Sequence, residues 1–239
     1  MPRIRIGVSG WSFDEWKDSF YADVPRKGWL GHYASIFETV EVNYTFRRTM
    51  SEKTAENWTA TVPEDFRFAV KAHQRITHTK RLKDPADNLP HFLDSLGPLR
   101  SRLGPVLFQT PPHLPRNDDR LAEFLAALPA DLSPVFEFRN ESWFDQEVYE
   151  MLGANGAGLV LSETDDNAVP DVVTAPVLYL RLRKTAYSDA ELAEWAARLE
   201  ATEAAEVWAY LKHEDASPEL ALALRSHLRR PDSGSYKEE

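Results

Sequence analysis

Polar and charged side chains recur at alternate positions in short segments whose remaining positions are apolar. In the segment 39–46, Glu41 and Asn43 alternate with Val40 and Val42. Because successive side chains of a β-strand point to opposite faces, such a segment presents its polar residues on one face. The residues selected by this pattern are Glu41, Asn43, Lys71, Gln109, Glu137, Arg139, Arg181 and Lys212.

The cations of this set suit an anionic ligand. The planar guanidinium groups of Arg139 and Arg181 can bind a phosphate or carboxylate through paired hydrogen bonds, and Lys71 and Lys212 add positive charge. Four cations outnumber the two glutamates, and buried cations without a partner are unfavourable. We therefore predict a binding site for a small anionic substrate. The alternative is a structural network in which the glutamates and amides satisfy the cations.

The same region offers groups that could transfer a proton. Glu41 or Glu137 would act as general acid or base, and His78, in the loop after segment 67–73, is a third catalytic candidate. The amide side chains of Asn43 and Gln109 would orient the substrate. The pattern therefore favours acid–base chemistry, and we expect a hydrolase or a lyase.

Two tryptophans lie just beyond the polar ends of predicted strands. Trp11 follows the segment 4–10, and Trp143 follows 134–140. We predict that they form a stacking wall for a sugar or a base, the alternative being that they pack the loops onto the protein.

A metal site would need carboxylates and histidines that converge. The candidate ligands are Glu41, Glu137, Glu163, His73, His78 and His213. Cations are interleaved among them and would repel a divalent ion, and the chain lacks the H-E-x-x-H spacing of zinc hydrolases. We therefore predict no cofactor, and a divalent metal is disfavoured.

Strand-like and helix-like patterns alternate along the whole chain. The predicted strands are 4–10, 39–46, 67–73, 104–111, 134–140, 158–164, 177–183 and 206–213. The predicted helices are 27–37, 51–61, 88–103, 118–128, 144–153, 188–202 and 218–229. Such alternation indicates a parallel sheet joined by right-handed crossovers.

Eight strands in 239 residues give about 30 residues per unit, which is typical of a (β/α)8 TIM barrel. We predict one α/β barrel domain over 1–230 and a flexible C-terminal tail over 231–239. The connection 165–176 is short and contains Pro170, so we expect the sixth crossover helix to be reduced. The polar residues lie late in their strands, at the C-terminal mouth where barrel active sites are found.

Composition limits the cellular context. The 38 acidic residues exceed the 28 lysines and arginines, giving a formal charge of −10 that disfavours a broad basic surface. Cysteine is absent, which excludes disulfides and thiolate chemistry. No apolar stretch approaches the roughly 18 residues of a membrane helix, and the first residues lack the apolar core of a signal peptide. We expect a cytoplasmic protein with no membrane partner.

Several of these segments resemble motifs of the YecE-like family, known as domain of unknown function 72 (DUF72). The shared motifs are Gly7-Val8-Ser9-Gly10-Trp11-Ser12-Phe13, Thr39-Val40-Glu41-Val42-Asn43-Tyr44-Thr45-Phe46, Phe66-Arg67-Phe68-Ala69-Val70-Lys71-Ala72, Ile76-Thr77-His78, Gly104-Pro105-Val106-Leu107-Phe108-Gln109, Glu137-Phe138-Arg139, Ser142-Trp143 and Tyr179-Leu180-Arg181. They cover the first 145 residues densely, whereas Leu182-Arg183-Lys184 departs from the family's His-Gly turn. The resemblance implies a TIM barrel and assigns no reaction.

The leading hypothesis is a TIM-barrel enzyme that acts on a small anionic substrate at the barrel mouth. On this hypothesis, Arg181→Ala abolishes anion binding and leaves the barrel folded. One alternative is a nucleic-acid-binding protein that resembles a phosphodiesterase or an endonuclease. Its basic rim would comprise Arg47, Arg48, Arg75, Lys80, Arg81 and Lys83. The other alternative is a non-catalytic, metabolite-binding barrel. The pattern predicts neither the substrate's identity nor the oligomeric state.

Overall fold

Eight parallel strands form one sheet in a computed structural model that describes residues 1–167, 170–213 and 215–229. The strands are β1 (Arg3–Val8), β2 (Thr39–Val42), β3 (Arg67–Lys71), β4 (Leu103–Gln109), β5 (Pro134–Glu137), β6 (Gly158–Glu163), β7 (Val177–Leu182) and β8 (Glu206–Leu211). Their order in the sheet is β1-β8-β7-β6-β5-β4-β3-β2, so sequence neighbours are also spatial neighbours from β2 to β8. This nearly closed arrangement confirms the predicted α/β barrel.

Seven α-helices alternate with these strands in the described part of the chain. They are α1 (Trp29–Ile36), α2 (Glu52–Thr61), α3 (Pro85–Ser95), α4 (Asp118–Ala126), α5 (Gln146–Ala154), α6 (Asp189–Ala201) and α7 (Ser217–His227). Ser188 and Glu191 close a capping box at the start of α6. The described residues between β6 and β7 contain no helix, as expected for the reduced sixth crossover.

The predicted helix 88–103 is divided into two elements. It begins earlier, with Pro85 in the first turn of α3, where a missing N–H has no cost. After Ser95 the chain continues as a 3₁₀ helix, Gly97–Arg102, because glycine followed by Pro98 disfavours a continuous α-helix.

All eight strands end earlier than predicted, and the difference is largest for β2 and β5. The predicted segments 39–46 and 134–140 leave the sheet after Val42 and Glu137. The 3₁₀ turns Tyr44–Phe46 and Glu141–Trp143 follow them. As a result Asn43, like the chain just beyond Glu137, belongs to the loops above the barrel and not to the sheet.

Two apolar layers follow from the alternation of side chains along the strands. One face of each strand packs against the helices, with residues such as Val40, Val70 and Phe108 in that outer layer. The interior of the barrel is a separate and smaller cluster. Its members are Ala69, Leu107, Val135, Val160, Val177, Tyr179, Trp208 and Tyr210. These residues share the parity of the polar set, which therefore faces into the barrel.

The barrel is completed by side chains where β1 and β2 meet. The Tyr33 hydroxyl accepts a hydrogen bond from the Val8 amide (3.0 Å) and donates one to the Thr39 carbonyl (2.8 Å). A Cβ atom on Gly7 would lie 2.2 Å from the Thr39 carbonyl oxygen, so this close approach requires glycine. The Thr39 hydroxyl also shares a hydrogen bond with Tyr210 (2.7 Å).

Two remaining predictions concern the ends of the chain and membranes. The predicted tail, 231–239, lies outside the described residues. None of the helices within the described ranges is long and apolar enough to cross a membrane.

Candidate functional site

Arg181 lies inside the barrel between two buried carboxylates. Its Nη2 donates a hydrogen bond to Glu41 Oε1 (2.7 Å), and its Nη1 donates one to Glu137 Oε2. All three side chains are fully or almost fully buried, and Arg181 is 0% exposed. Both terminal nitrogens are therefore engaged by protein. For this residue the structure contains the ion-pair network that the sequence left open as the alternative, and substrate binding by Arg181 stays a prediction.

Glu41, from β2, is held by four donors. Oε1 accepts hydrogen bonds from Ser9 Oγ (2.8 Å), Asn43 Nδ2 (3.0 Å) and Arg181, and Oε2 accepts one from the Tyr179 hydroxyl (2.9 Å). Burial alone would raise the pKa of Glu41, but the charge of Arg181 and these hydrogen bonds outweigh it and hold the pKa below its ordinary value. Glu41 is thus a fixed negative charge.

Glu137, at the end of β5, begins a second chain of contacts. Its Oε1 accepts hydrogen bonds from Gln109 Nε2 (2.8 Å) and from Arg139 Nε (3.3 Å), and Gln109 Oε1 accepts one from Lys71 Nζ (2.8 Å). Burial opposes ionisation of Glu137, but the charges of Arg181 and Arg139 prevail and lower its pKa. The structure therefore brings seven predicted site residues into one hydrogen-bonded network: Glu41, Asn43, Lys71, Gln109, Glu137, Arg139 and Arg181.

Lys71 is the buried cation of this network that is not held by a carboxylate. Its ammonium group bonds Gln109 and lies 4.2 Å from the centre of the Phe46 ring. Burial, reinforced by the charge of Arg181, lowers the pKa of Lys71 to about 8. This amine is therefore mostly protonated at pH 7 but loses its proton more readily than an ordinary lysine.

The positive charge in excess of the glutamates lies at the rim of the mouth. The buried charges of Arg181 and Lys71 balance those of Glu41 and Glu137. Arg139 adds a guanidinium group that is 40% exposed. Arg183, which the sequence analysis did not select, approaches Glu41 Oε1 at 4.0 Å. Its parity along β7, shared with Arg181, was the signal that could have identified it.

A cavity of about 720 Å³ opens beside this rim. Glu137 and Arg139 form one wall, Ser162 lies at the end of β6, and Asp166 comes from the loop that follows. Phe144 contributes an apolar surface. Its charged lining residues are one cation, Arg139, and three carboxylates, Glu137, Glu141 and Asp166. Together with the apolar wall, this lining is typical of a binding site for a small polar molecule.

His78 lies at the same end of the barrel. It belongs to the π-helical turn Arg75–Thr79 after β3, and its ring meets that of Phe46 edge-on at 5.0 Å. Its Nδ1 shares a hydrogen bond with the Thr77 hydroxyl (2.9 Å). Burial and the positive charges of Lys71 and Arg139 lower the pKa of His78, so its imidazole is neutral at pH 7.

Three predicted binding residues lie outside the network: Trp143, Trp11 and Lys212. Trp143 is 0% exposed, its ring stacks on Phe138 at 4.5 Å, and its Nε1 donates to the Leu114 carbonyl (2.8 Å). This burial corrects the prediction of a ligand-stacking wall at Trp143, because the loop after β5 turns the ring inward. Trp11 packs edge-on against Trp58 of α2, with 4.7 Å between ring centres.

Lys212 is exposed just beyond β8 and is not among the partners of the two buried glutamates.

The candidate metal ligands do not converge on one point. Glu163 pairs with Lys184 (3.3 Å) and accepts a hydrogen bond from Trp195 (3.1 Å). Within residues 1–167, 170–213 and 215–229, no three histidine, aspartate or glutamate side chains are placed to hold a metal ion.

The chain matches known sequences and structures over most of its length. Residues 5–238 match the family described as "Protein of unknown function DUF72". Its relatives include the UPF0759 protein YunF of Bacillus subtilis (strain 168), 33% identical over 156 residues, which cover 62% of this chain and 54% of the relative. The UPF0759 protein YecE of Escherichia coli (strain K12) is 30% identical over 142 residues, which cover 59% and 50%. The chain spans about half the length of these curated relatives.

Two solved structures share the fold from end to end. A DUF72 family protein from Enterococcus faecalis V583 superposes with a TM-score of 0.79 at 23% identity, covering 95% of this chain and 96% of that one. A DUF72 family protein from Thermotoga maritima MSB8 gives a TM-score of 0.78 at 24% identity, covering 94% and 98%. The barrel, its inward-facing polar set and the match across residues 5–238 together make this chain a member of the DUF72 family.

Proposed function

We propose that the protein binds a small molecule bearing a phosphate or carboxylate group in the mouth cavity and acts on it there as a hydrolase or lyase. The observation that carries the proposal is the partly exposed guanidinium group of Arg139, which lines a cavity of about 720 Å³. The neighbouring carboxylate, Glu137, is already paired with Arg181 inside the barrel. Arg139 can therefore bind an external anion without leaving Glu137 unpaired.

We assign a role to each group of the mouth from its charge and its contacts. Arg139 binds the anion, and Arg181 is a positioning residue that fixes both glutamates. Since the pKa values of Glu41 and Glu137 are lowered, they are weak proton acceptors and serve mainly as fixed charges. The general base is then the neutral imidazole of His78, near the amine of Lys71.

The main test is a thermal-shift screen of phosphorylated and carboxylated metabolites, followed by calorimetric titration of the strongest ligand. We expect Arg139→Ala to weaken binding about tenfold or more, which is the effect of one lost charge-assisted contact to an anion. Arg120→Ala, in α4, is the matched control and should bind like the wild type. Equal affinities of the two variants would contradict the proposal.

Turnover separates an enzyme from a metabolite-binding barrel. We expect the bound ligand to be converted by the wild type, and we expect His78→Ala to retain binding but lose conversion. Binding without conversion by the wild type would favour the non-catalytic alternative.

The nucleic-acid alternative depends on the loops after β2 and β3. Of its six cations, Arg75 donates to Asn88 (3.0 Å) and Lys80 pairs with Asp84 (3.0 Å), while Arg47 is exposed. Binding of single- or double-stranded DNA that weakens steeply with salt would support this alternative over a small-molecule site.

A further inference from the structure

A second positively charged cavity lies at the end of the barrel opposite the mouth. It encloses about 450 Å³, and its walls include the first residues of β1, β3, β4 and β8. Its charged lining residues are Arg3, Arg5, Arg67, Arg100, Asp131 and Glu206. The lining thus has two more positive than negative charges, although the whole chain has a formal net charge of −10.

Arg5 is the buried charge of this cavity. Its side chain is 3% exposed, and its Nε and Nη1 atoms have no hydrogen-bond partner among the described residues. The partly exposed carboxylate of Glu206 forms a long ion pair with Nη1, at 3.5 Å. The Trp208 ring covers one side of the guanidinium group, 4.5 Å away. Glu206 thus compensates this charge only from a distance, and the buried guanidinium keeps donors without an acceptor.

The neighbouring arginines differ in how far they are already neutralised. Arg100 pairs with Asp131. Arg67 donates its Nη1 protons to two backbone carbonyls, at 2.9 Å each, and keeps its charge. Arg3 is exposed and makes no ion pair with any described residue.

The indole Nε1 of Trp208 is also buried without a described partner. The unsatisfied groups on Arg5 and Trp208 are therefore all hydrogen-bond donors. Donors without acceptors select a ligand that offers acceptor oxygens and negative charge.

We propose that this cavity is a second ligand site, which binds a phosphate or carboxylate group of a small molecule through Arg5 at its inner wall and Arg3 and Arg67 around it. Burial and the charge of Arg3 lower the pKa of Arg5, and the charge of Glu206 opposes this lowering without cancelling it. The site is separate from the mouth, because it is built from the opposite ends of the strands. It would suit an effector molecule, since active sites of this fold lie at the mouth.

The experiment uses Arg139→Ala as the parent protein, so that the mouth site is weakened and its contribution is separated. Pyrophosphate and citrate are titrated calorimetrically into this parent, into the double variant with Arg5→Gln, and into the double variant with Arg3→Gln. We expect the parent to bind at least one probe. Arg5→Gln should weaken this binding about tenfold and Arg3→Gln about threefold, in keeping with a buried and an exposed charge. Tighter binding of pyrophosphate identifies a phosphate ligand, and tighter binding of citrate a carboxylate ligand.

Thermal unfolding without ligand shows whether each variant is folded. Arg5→Gln removes a buried charge whose ion pair with Glu206 is long, so we expect the variant to stay folded with a melting temperature close to the parent's. If it fails to fold, the exposed Arg3 decides the question through its own variant. Absence of binding by the parent, or affinities unchanged in the folded variants, would overturn the second site. Neither result bears on the mouth, which is tested by Arg139 in the wild-type background.

Discussion

Arg181 extends from β7 to two carboxylates on strands that are not neighbours, Glu41 on β2 and Glu137 on β5. A guanidinium group has enough donors in one plane to bind both. Once it does so, its charge is neutralised within the protein, and we therefore propose the exposed Arg139 as the anion-binding group. The chemistry of the mouth therefore depends on which cations are already neutralised and not on how many are present.

Replacing Arg181 should destabilise the fold. Arg181→Ala leaves two buried carboxylates without their partner, and breaking a buried ion pair costs about 3–5 kcal/mol. In a chain of this size that corresponds to a fall in melting temperature of roughly 10 °C. Arg183→Ala, which removes a longer contact to Glu41, is the control and should cost less than about 1 kcal/mol. Similar stabilities of the two variants in chemical denaturation would show that the network is not structural.

The stability difference between the wild type and Arg181→Ala should depend on pH in a definite direction. The folded-state pKa values of Glu41 and Glu137 are lowered, so their stabilisation is present above the ordinary glutamate pKa and is lost as pH falls through the lowered values. We expect the stability difference between wild type and Arg181→Ala to be large at pH 7 and to shrink below about pH 4. A difference that stays constant into acid would contradict the ionic origin of the stabilisation.

Lys71 should titrate at an unusually low pH. Its pKa is lowered to about 8 by burial and by the charge of Arg181, against an ordinary value of 10.5. Heteronuclear NMR of the lysine side chains should show one signal with a midpoint near pH 8, and this signal should be missing from the Lys71→Arg variant. A spectrum with no lysine titrating near pH 8 would refute the environment described for this amine.

At the scale of elements, the junction between β1 and β2 brings the two ends of the sheet together. The strands approach so closely that Gly7 leaves no room for a side chain, and Tyr33 from α1 supplies hydrogen bonds to both. The same junction places Ser9, just beyond β1, against Glu41. The position of Glu41 in the site thus depends on the close contact between β1 and β2.

Gly7→Ala should be strongly destabilising, because its Cβ would lie 2.2 Å from a backbone oxygen that cannot move without opening the junction. We expect a loss of about 3 kcal/mol or more in the free energy of unfolding. Gly97→Ala is the matched control, since nothing lies within 4 Å of its Cβ. Its stability should stay within about 1 kcal/mol of the wild type. Comparable losses in both variants would mean that the junction is not closely packed.

Sequence patterns were sufficient to predict the strands and the parity that points Glu41, Lys71, Gln109 and Glu137 into the barrel, because strand alternation is a local property. They could not predict which of these groups pair. Arg181 was predicted to bind the ligand because the sequence shows an excess of cations over glutamates. The sequence does not show that the Arg181 side chain reaches both glutamates across the barrel, since that distance depends on the fold.

The two tryptophans show the same limit for loops. Trp143 turns inward onto Phe138, and the path of that loop is set by packing that no local pattern encodes. Trp11 instead meets Trp58, a residue from a distant helix. The bridging hydroxyl of Tyr33 was missed for the same reason, since it sits in an apolar helix pattern.

At the scale of the whole molecule, an acidic protein carries arginines at both ends of its barrel. Arg139 and Arg183 lie at the C-terminal mouth, and Arg3 and Arg5 lie at the N-terminal end. A negative exterior repels anions at long range, so small ligands gain from compact positive sites more than extended polyanions do. This distribution favours a metabolite over a nucleic acid as the ligand.

The most direct test of the mouth site is a crystal structure of the protein with the strongest ligand from the thermal-shift screen. We predict electron density for its anionic group in the cavity between Glu137 and Ser162, within hydrogen-bonding distance of the Arg139 guanidinium. Arg181 should remain bound to both glutamates. Ligand density elsewhere with this cavity empty, or an Arg181 that has left Glu137 to bind the anion, would contradict the assignment.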